Sequence, residues 1–108
     1  MSAATAEQAA AEQRLRTLKA ALQGEVAGML AEYGAARKTL AILQQHHLPK
    51  SELVVRSSLS ALETGQADAF KVLDAIRRLR GVQLEILKLR VQLQATLAEI
   101  EKAVGEDL

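Results

Sequence analysis

The stretch that decides the fold runs from Ala61 to Leu79 and reads ALETGQADAFKVLDAIRRL. The residues before Gly65 follow a helical pattern that leads up to it, and those after it follow a second helical pattern that leads away. Gly ends a helix at little cost because it adopts the left-handed conformation without a Cβ clash. Asp68 is suited to cap the helix that follows. The stretch therefore predicts the tip of a helical hairpin, and we expect the main contact surface there.

A narrow apolar stripe lies along the helix that the sequence predicts from about Thr5 to His46. Its members recur three or four residues apart, the spacing of helices that pack along their length: Leu15, Leu18, Leu22, Val26, Met29, Tyr33, Ala36, Leu40 and Leu43. Gly24, Gly28 and Gly34 fall inside this helix, and each destabilises it by about 1 kcal/mol relative to Ala. They are either tolerated surface positions or sites where a neighbouring helix approaches closely.

The segment His46–Pro49 interrupts this stripe. Pro49 lacks an N–H donor and disfavours helical geometry at Leu48, while Ser51 is a possible N-cap. The chain therefore either kinks at Pro49 or turns back there, and we predict the kink. The two adjacent histidines point about 100° apart on a helix and cannot chelate one ion together, so we predict no metal site.

A second helix is predicted over residues 51–64, with apolar side chains on two faces. One face carries Val55, Leu59 and Leu62, and the other carries Val54 and Ala61. If Pro49 only kinks the chain, residues 5–64 form about 90 Å of helix, far more than the helix after Gly65. The N-terminal third would then need another chain. We therefore predict association in solution, which a stable monomer at all concentrations in sedimentation would contradict.

The longest predicted helix runs from Ala69 to Val104 and carries two stripes, interpreted as adjacent seams facing neighbours on both sides. One contains Val72, Ile76, Leu79, Ile86, Leu93, Leu97, Ile100 and Val104, and the other Phe70, Leu73, Leu84, Leu87, Val91 and Ala98. The alternation of apolar and polar residues over 87–95 also suits a strand. No turn residue bounds that run, so helix is favoured. Gly105 is expected to end the helix, with residues 106–108 frayed.

Composition agrees with an all-α fold. The 108 residues make one small domain, with one Phe, one Tyr and no Trp to build an aromatic core. Fourteen basic and thirteen acidic side chains leave a net charge of +1, which argues against nucleic-acid binding. Without cysteine there are no disulfides and no thiolate chemistry. Residues 1–15 lack a signal peptide's apolar segment, and no apolar run is long enough to span a membrane.

The sequence contains no motif for catalysis or for a cofactor. Asp74, Arg77 and Arg78 could form an active-site cluster, as in small helical mutases that bind dicarboxylates through arginine. An intrahelical ion pair at i, i+3 is the favoured interpretation. Lys71, Arg77, Arg78 and Arg80 form a basic patch beside the tip, which would suit an acidic partner surface. We predict that the protein is not an enzyme.

The region from Gln23 to Gly105 resembles the closing segment of the TolC family of outer-membrane efflux channels, and most of all its CzcC-type, heavy-metal-efflux branch. The resemblance rests on the following residues: Leu48-Pro49, Gly65, Val72-Leu73-Asp74-Ala75, Arg77, Leu79 and the terminal Leu97–Gly105, with Glu25-Val26 and Tyr33-Gly34-Ala35-Ala36 upstream. It implies a trimer in which each subunit gives strands to a twelve-stranded outer-membrane barrel and helical hairpins to a periplasmic tunnel. The hairpin tips meet a periplasmic adaptor protein, which joins the channel to an inner-membrane pump.

By this resemblance the adaptor-docking tip comprises Ala61, Leu62, Thr64, Gly65, Gln66, Ala67 and Val72. Asp74, Arg77 and Arg78 are candidates for the tunnel's aperture. Two positions depart from the family pattern, since Leu62 stands where Tyr or Phe is usual and Ala67 where a polar or basic residue is frequent. The tip is therefore predicted to serve contact rather than gating.

Three functional hypotheses follow. The first is a hairpin of an efflux channel on the periplasmic side of the outer membrane. Because signal peptide, barrel strands and first repeat are absent from these residues, the chain would be a fragment or a truncated relative. The second is a free-standing, cytoplasmic coiled-coil module that self-associates. The third is a helical enzyme that uses Asp74 and the arginines. No cofactor and no nucleic acid is predicted for any of the three.

Overall fold

The protein is a long antiparallel helical hairpin. The structure is a computed structural model that describes residues 2–107, and the side chains of residues 2–105. Helix α1 runs from Ala3–Ile42, a π turn from Leu43–His47, helix α2 from Leu48–Glu63 and helix α3 from Ala69–Asp107. Residues 2–107 contain no strand, so the helical reading of residues 87–95 is confirmed.

The element ends differ slightly from the predicted ones. Helix α1 begins earlier than Thr5, because the Ser2 hydroxyl accepts a hydrogen bond from the Thr5 N–H at 3.4 Å and caps the helix. The prediction that Gly105 ends the last helix is wrong, since α3 continues through Gly105 to Asp107. The predicted fraying also included Leu108, which lies outside the described residues.

The hairpin has one long arm and one short arm. At 1.5 Å per residue, the continuous helical rod from Ala3 to Glu63 is about 92 Å long and α3 about 58 Å. The molecule measures 92 × 19 × 16 Å, so the long arm spans its full length and the chain does not turn back at Pro49. Residues 2–21 are all exposed, because α3 ends before it reaches them. This overhang is the unpaired N-terminal segment that the sequence predicted.

The core is a single seam between the two arms. Its buried members among the described residues all lie on α3: Val72, Ala75, Ile86, Leu93 and Ile100. Half-buried residues fill the remaining seam positions of that helix: Leu79, Val82, Leu89, Thr96 and Ala103. Steps of three and four alternate along this series, as in a coiled coil. The predicted stripe was wrong at its end, where Val104 is exposed and Ala103 faces the other arm.

The facing seam on the long arm contains one irregular step. Half-buried side chains follow the heptad spacing from Leu22 to Leu43 and again from Leu48, through Ser51, Val55 and Ser58. Between Leu43 and Leu48 the step is five residues. The π turn absorbs the extra residue, because its wider ring adds one residue without breaking the helix. The Leu48 N–H accordingly donates to the Leu43 carbonyl, five residues back.

The π turn also accommodates Pro49. A proline inside an α-helix has no N–H to donate and crowds the carbonyl four residues earlier, which here belongs to Gln45. The wider turn lies immediately before α2, so Pro49 occupies the first turn of that helix, where proline is tolerated. Leu48 keeps helical backbone angles, with φ −65° and ψ −53°. The predicted interruption is therefore a phase shift within a continuous helical rod.

Deleting Gln45 together with Pro49→Ala tests this interpretation. Gln45 is exposed, and its removal restores a four-residue step from Leu43 to Leu48. We expect the thermal midpoint measured by circular dichroism to stay within a few degrees of the parent, because both seam halves remain in register. Deleting the exposed Arg56 is the matched control, since it shifts every later seam residue of α2 by about 100°. A similar loss of stability in both deletions would contradict the phase-shift interpretation.

The second stripe of α3 has no partner among the side chains of residues 2–105. Phe70, Leu73, Leu84, Leu87 and Val91 are exposed, with Phe70 at 80%. Each lies two residues before a seam position, which places this outer stripe about 160° around the helix from the seam. The prediction of adjacent seams is wrong, because the two stripes face nearly opposite directions. A helix with apolar side chains on both sides is typical of larger helical assemblies.

The structure also differs from the sequence-based expectations for the glycines of α1 and for the apolar faces of α2. A Cβ added at Gly24, Gly28 or Gly34 would meet nothing within 4 Å, so no part of the described chain approaches these glycines closely. On α2, Leu59, Leu62 and Val54 are exposed, and Val55 shares the seam with two serines instead.

Candidate functional site: the hairpin tip

The tip is a short turn closed by backbone hydrogen bonds. Gly65 has φ +76°, the left-handed conformation that the sequence predicted for it. Its N–H donates to the Leu62 carbonyl at 3.1 Å, and the Gln66 N–H donates to the Ala61 carbonyl at 2.7 Å. These two bonds form a Schellman motif, which satisfies carbonyls left unpaired at the end of α2.

Further hydrogen bonds secure both sides of the turn. The Ala61 carbonyl also accepts from the Ala67 N–H at 3.1 Å and from the Thr64 hydroxyl at 3.2 Å. On the other side, the Asp68 carboxylate accepts from the Lys71 N–H at 3.0 Å. Asp68 therefore caps α3 as predicted. A turn of five residues held at both ends presents its side chains in a fixed arrangement at the end of the rod.

The structure separates the predicted tip residues into three groups. Leu62, Thr64, Gly65 and Gln66 are exposed at the end of the molecule, whereas Ala61 and Ala67 are half-buried beneath them. Val72 is only 7% exposed and packs in the seam. Val72 thus holds the two arms together behind the tip, and the exposed residues are the ones that a partner would touch.

The aperture candidates lie on α3, one to three turns from the tip. Asp74 forms an ion pair with Arg78, with 3.2 Å between Nε and the carboxylate oxygen. The predicted i, i+3 partner, Arg77, is not the one that pairs. Because these side chains are 76% and 62% exposed, the pair stabilises the helix by only about 0.3–0.5 kcal/mol. Arg77 and Arg80 are exposed and have no ion-pair partner among the described side chains.

Two hollows that share Val54 lie between α2 and α3 on one side of the tip; together they are called the tip groove. The hollow nearer the turn, of about 450 Å³, is lined by Leu53, Val54, Ser57, Ser58, Ala61, Gln66, Ala67 and Lys71. The other, of about 220 Å³, is lined by His47, Lys50, Ser51, Val54, Ala75 and Arg78. The groove is lined by small apolar side chains, by Leu53 and three serines, and by the cations Lys50, Lys71 and Arg78.

Sequence reasoning missed Lys50, Leu53 and Ser57 as members of a site. Val54 and Ala61 had been placed on one face of α2 because they are seven residues apart. The sequence does not show that this face borders Lys71 and Arg78 of α3. That contact depends on how α2 and α3 are rotated about their axes relative to each other.

The described residues contain no candidate metal centre. No group of three or more His, Cys, Asp or Glu side chains within them lies close enough to hold an ion. His46 and His47 are both exposed. In the same part of the chain, no helix is long and apolar enough to cross a membrane.

Comparison with protein families identifies a match over nearly the whole chain. The family model described as outer membrane efflux protein matches residues 1–106, which is nearly the whole chain. The chain belongs to the outer membrane efflux protein family. No curated protein and no solved structure gives a match.

Membership of the outer membrane efflux protein family decides between the three hypotheses at a general level. The family consists of efflux channel components rather than enzymes, and an outer-membrane efflux role is therefore favoured over the helical enzyme and over the cytoplasmic module. The same membership supports the TolC-like resemblance of residues 23–105.

Proposed function

We propose that this chain forms a periplasmic helical hairpin of an outer-membrane efflux channel, and that its tip docks on a periplasmic adaptor protein. The observation that carries the proposal is the tip itself. Exposed Leu62, Thr64 and Gln66 surround a turn that is closed by a Schellman motif and by the Asp68 cap. A rigid turn at the end of a 92 Å rod suits end-on contact with another protein, because little conformational entropy is lost on binding.

In the same proposal, the chain corresponds to the C-terminal part of the channel and assembles as a trimer with the inner-membrane pump reached through the adaptor. The outer stripe of α3 and the exposed Leu15 and Leu18 of the overhang supply apolar surface for neighbouring helices. The CzcC-type, cation-efflux assignment is supported by the Val72–Ala75 motif after Gly65. Asp74, Arg77 and Arg78 would then lie near the aperture, where the Asp74–Arg78 pair within one chain favours contact over gating.

Gln66→Trp tests the docking role. Gln66 is exposed at the tip, so the larger side chain should leave the helical circular dichroism unchanged. We expect the affinity for the purified periplasmic adaptor to fall at least about tenfold, because a bulky side chain at a packed contact prevents close approach. Gln13→Trp in the exposed overhang is the matched control. Equal affinities for the two variants and the parent would contradict docking through the tip.

A further inference from the structure

The tip groove has a charge character that the proposed function does not explain. Its lining contains three cationic side chains, Lys50, Lys71 and Arg78, and none of its lining residues is a carboxylate. The neighbouring Asp74 is already paired with Arg78. Lys50 and Lys71 have no ion-pair partner among the side chains of residues 2–105. The groove is thus locally positive on a chain whose net charge is only +1.

The groove floor sets the shape of what fits between these cations. Val54, Ala61, Ala67 and Ala75 contribute small or short apolar side chains, and Leu53 adds one larger apolar side chain. A shallow channel of small residues between two helices accepts the side chains of a third helix laid along it. It is also continuous with the exposed tip, because Gln66 lines the hollow nearer the turn.

We infer that the tip groove binds an acidic, amphipathic helix of the adaptor, with carboxylates directed at Lys50 and Lys71. This inference rests on the proposed function and names the chemistry of the partner. The partner's contact stripe carries Ala or Leu at its centre, over Val54 and Ala61. A Glu or Asp lies towards each end of that stripe.

The groove also sets the spacing of the two carboxylates. Lys71 lines the same hollow as Ala61, and Lys50 lies eleven residues before Ala61 on the same long arm. Eleven residues of helix rise about 17 Å and return to nearly the same face after three turns. A helix that lies along the groove therefore meets both cations with acidic residues about eleven positions apart.

The experiment compares two double charge reversals of the full chain. Lys50→Glu with Lys71→Glu reverses the charge of the groove, and both side chains are exposed, so we expect the helical circular dichroism to match that of the parent. Lys88→Glu with Lys102→Glu is the matched control, because both lysines are exposed on α3 away from the tip. The probe is the adaptor's purified helical hairpin, titrated at low and at high NaCl.

For the groove variant we expect affinity to fall about tenfold or more at low salt, since two attractions become repulsions. The control variant should bind like the parent. Raising NaCl should weaken the parent more than the groove variant, because salt screens the attraction only where it exists.

The other outcomes separate the inference from the function on which it rests. If the parent binds the adaptor and the groove variant binds equally well, the inference is overturned while tip docking stands. If the parent does not bind the adaptor at all, the proposed function itself fails. If the groove variant loses only self-association in sedimentation, the groove's occupant is a second copy of this chain and the inference is again overturned.

Discussion

Replacing Leu93 by alanine is expected to lower the free energy of unfolding by about 2–4 kcal/mol, the largest stability effect of any single substitution considered for this chain. Leu93 is 8% exposed and lies in the middle of the seam. Only five side chains of residues 2–105 are buried, so truncating one removes a large share of the apolar burial. The measurement is urea unfolding followed by circular dichroism at a fixed chain concentration.

Leu30→Ala is the control for that experiment. Leu30 lies on α1 at 52% exposure, away from the seam, and the chemical change is identical. We expect a loss of no more than about 1 kcal/mol, because about half of the side chain is already in water. If the two variants unfolded at the same urea concentration, the seam would not be the structure that holds the arms together.

Gly65→Ala is expected to destabilise the hairpin by about 1–2 kcal/mol, the second largest effect. The φ of +76° at Gly65 is strained for any residue with a Cβ. A Cβ there would meet no other atom within 4 Å, so the cost comes from the backbone alone. The free energy of unfolding measured under the same urea conditions would report it.

Gly24→Ala is the matched control, and we expect its effect on stability to have the opposite sign. Gly24 is helical and also has nothing within 4 Å of an added Cβ. The same chemical change there should raise helical stability by up to about 1 kcal/mol, because Ala is the better helix former. Opposite signs at the two glycines would confirm the left-handed turn, whereas stabilisation at both would show that the tip is not closed in this conformation.

The local signals in the sequence were sufficient to predict the tip. Gly65 and Asp68 act through their own backbone and side-chain hydrogen bonds, which depend on residues within one turn. The heptad spacing likewise predicted the long seam, because helical periodicity alone places Leu22 and Leu40 on one face of α1, and Leu79 and Leu93 on one face of α3. These features could be predicted because each depends on residues within the same helix or turn.

The π turn and the tip groove could not be predicted in the same way. Pro49 was interpreted as a kink because proline disfavours helix in isolation. The long arm packs against α3 on both sides of Pro49, so its seam must continue past the proline. The five-residue step from Leu43 to Leu48 keeps the seam facing α3. The groove depends on the rotation of α2 against α3, which brings Lys71 beside Ala61. The periodicity of residues within one helix does not predict how that helix is rotated against its neighbour.

Docking through the hairpin tip is tested most directly by site-specific crosslinking. The chain contains no cysteine, so Gln66→Cys and Gln13→Cys each introduce a single attachment point for a benzophenone probe. After irradiation with the adaptor's helical hairpin and mass spectrometry of the products, we predict an adaptor adduct from position 66 and none from position 13. Adducts of equal yield from both positions, or from position 13 alone, would contradict a docking site at the hairpin tip.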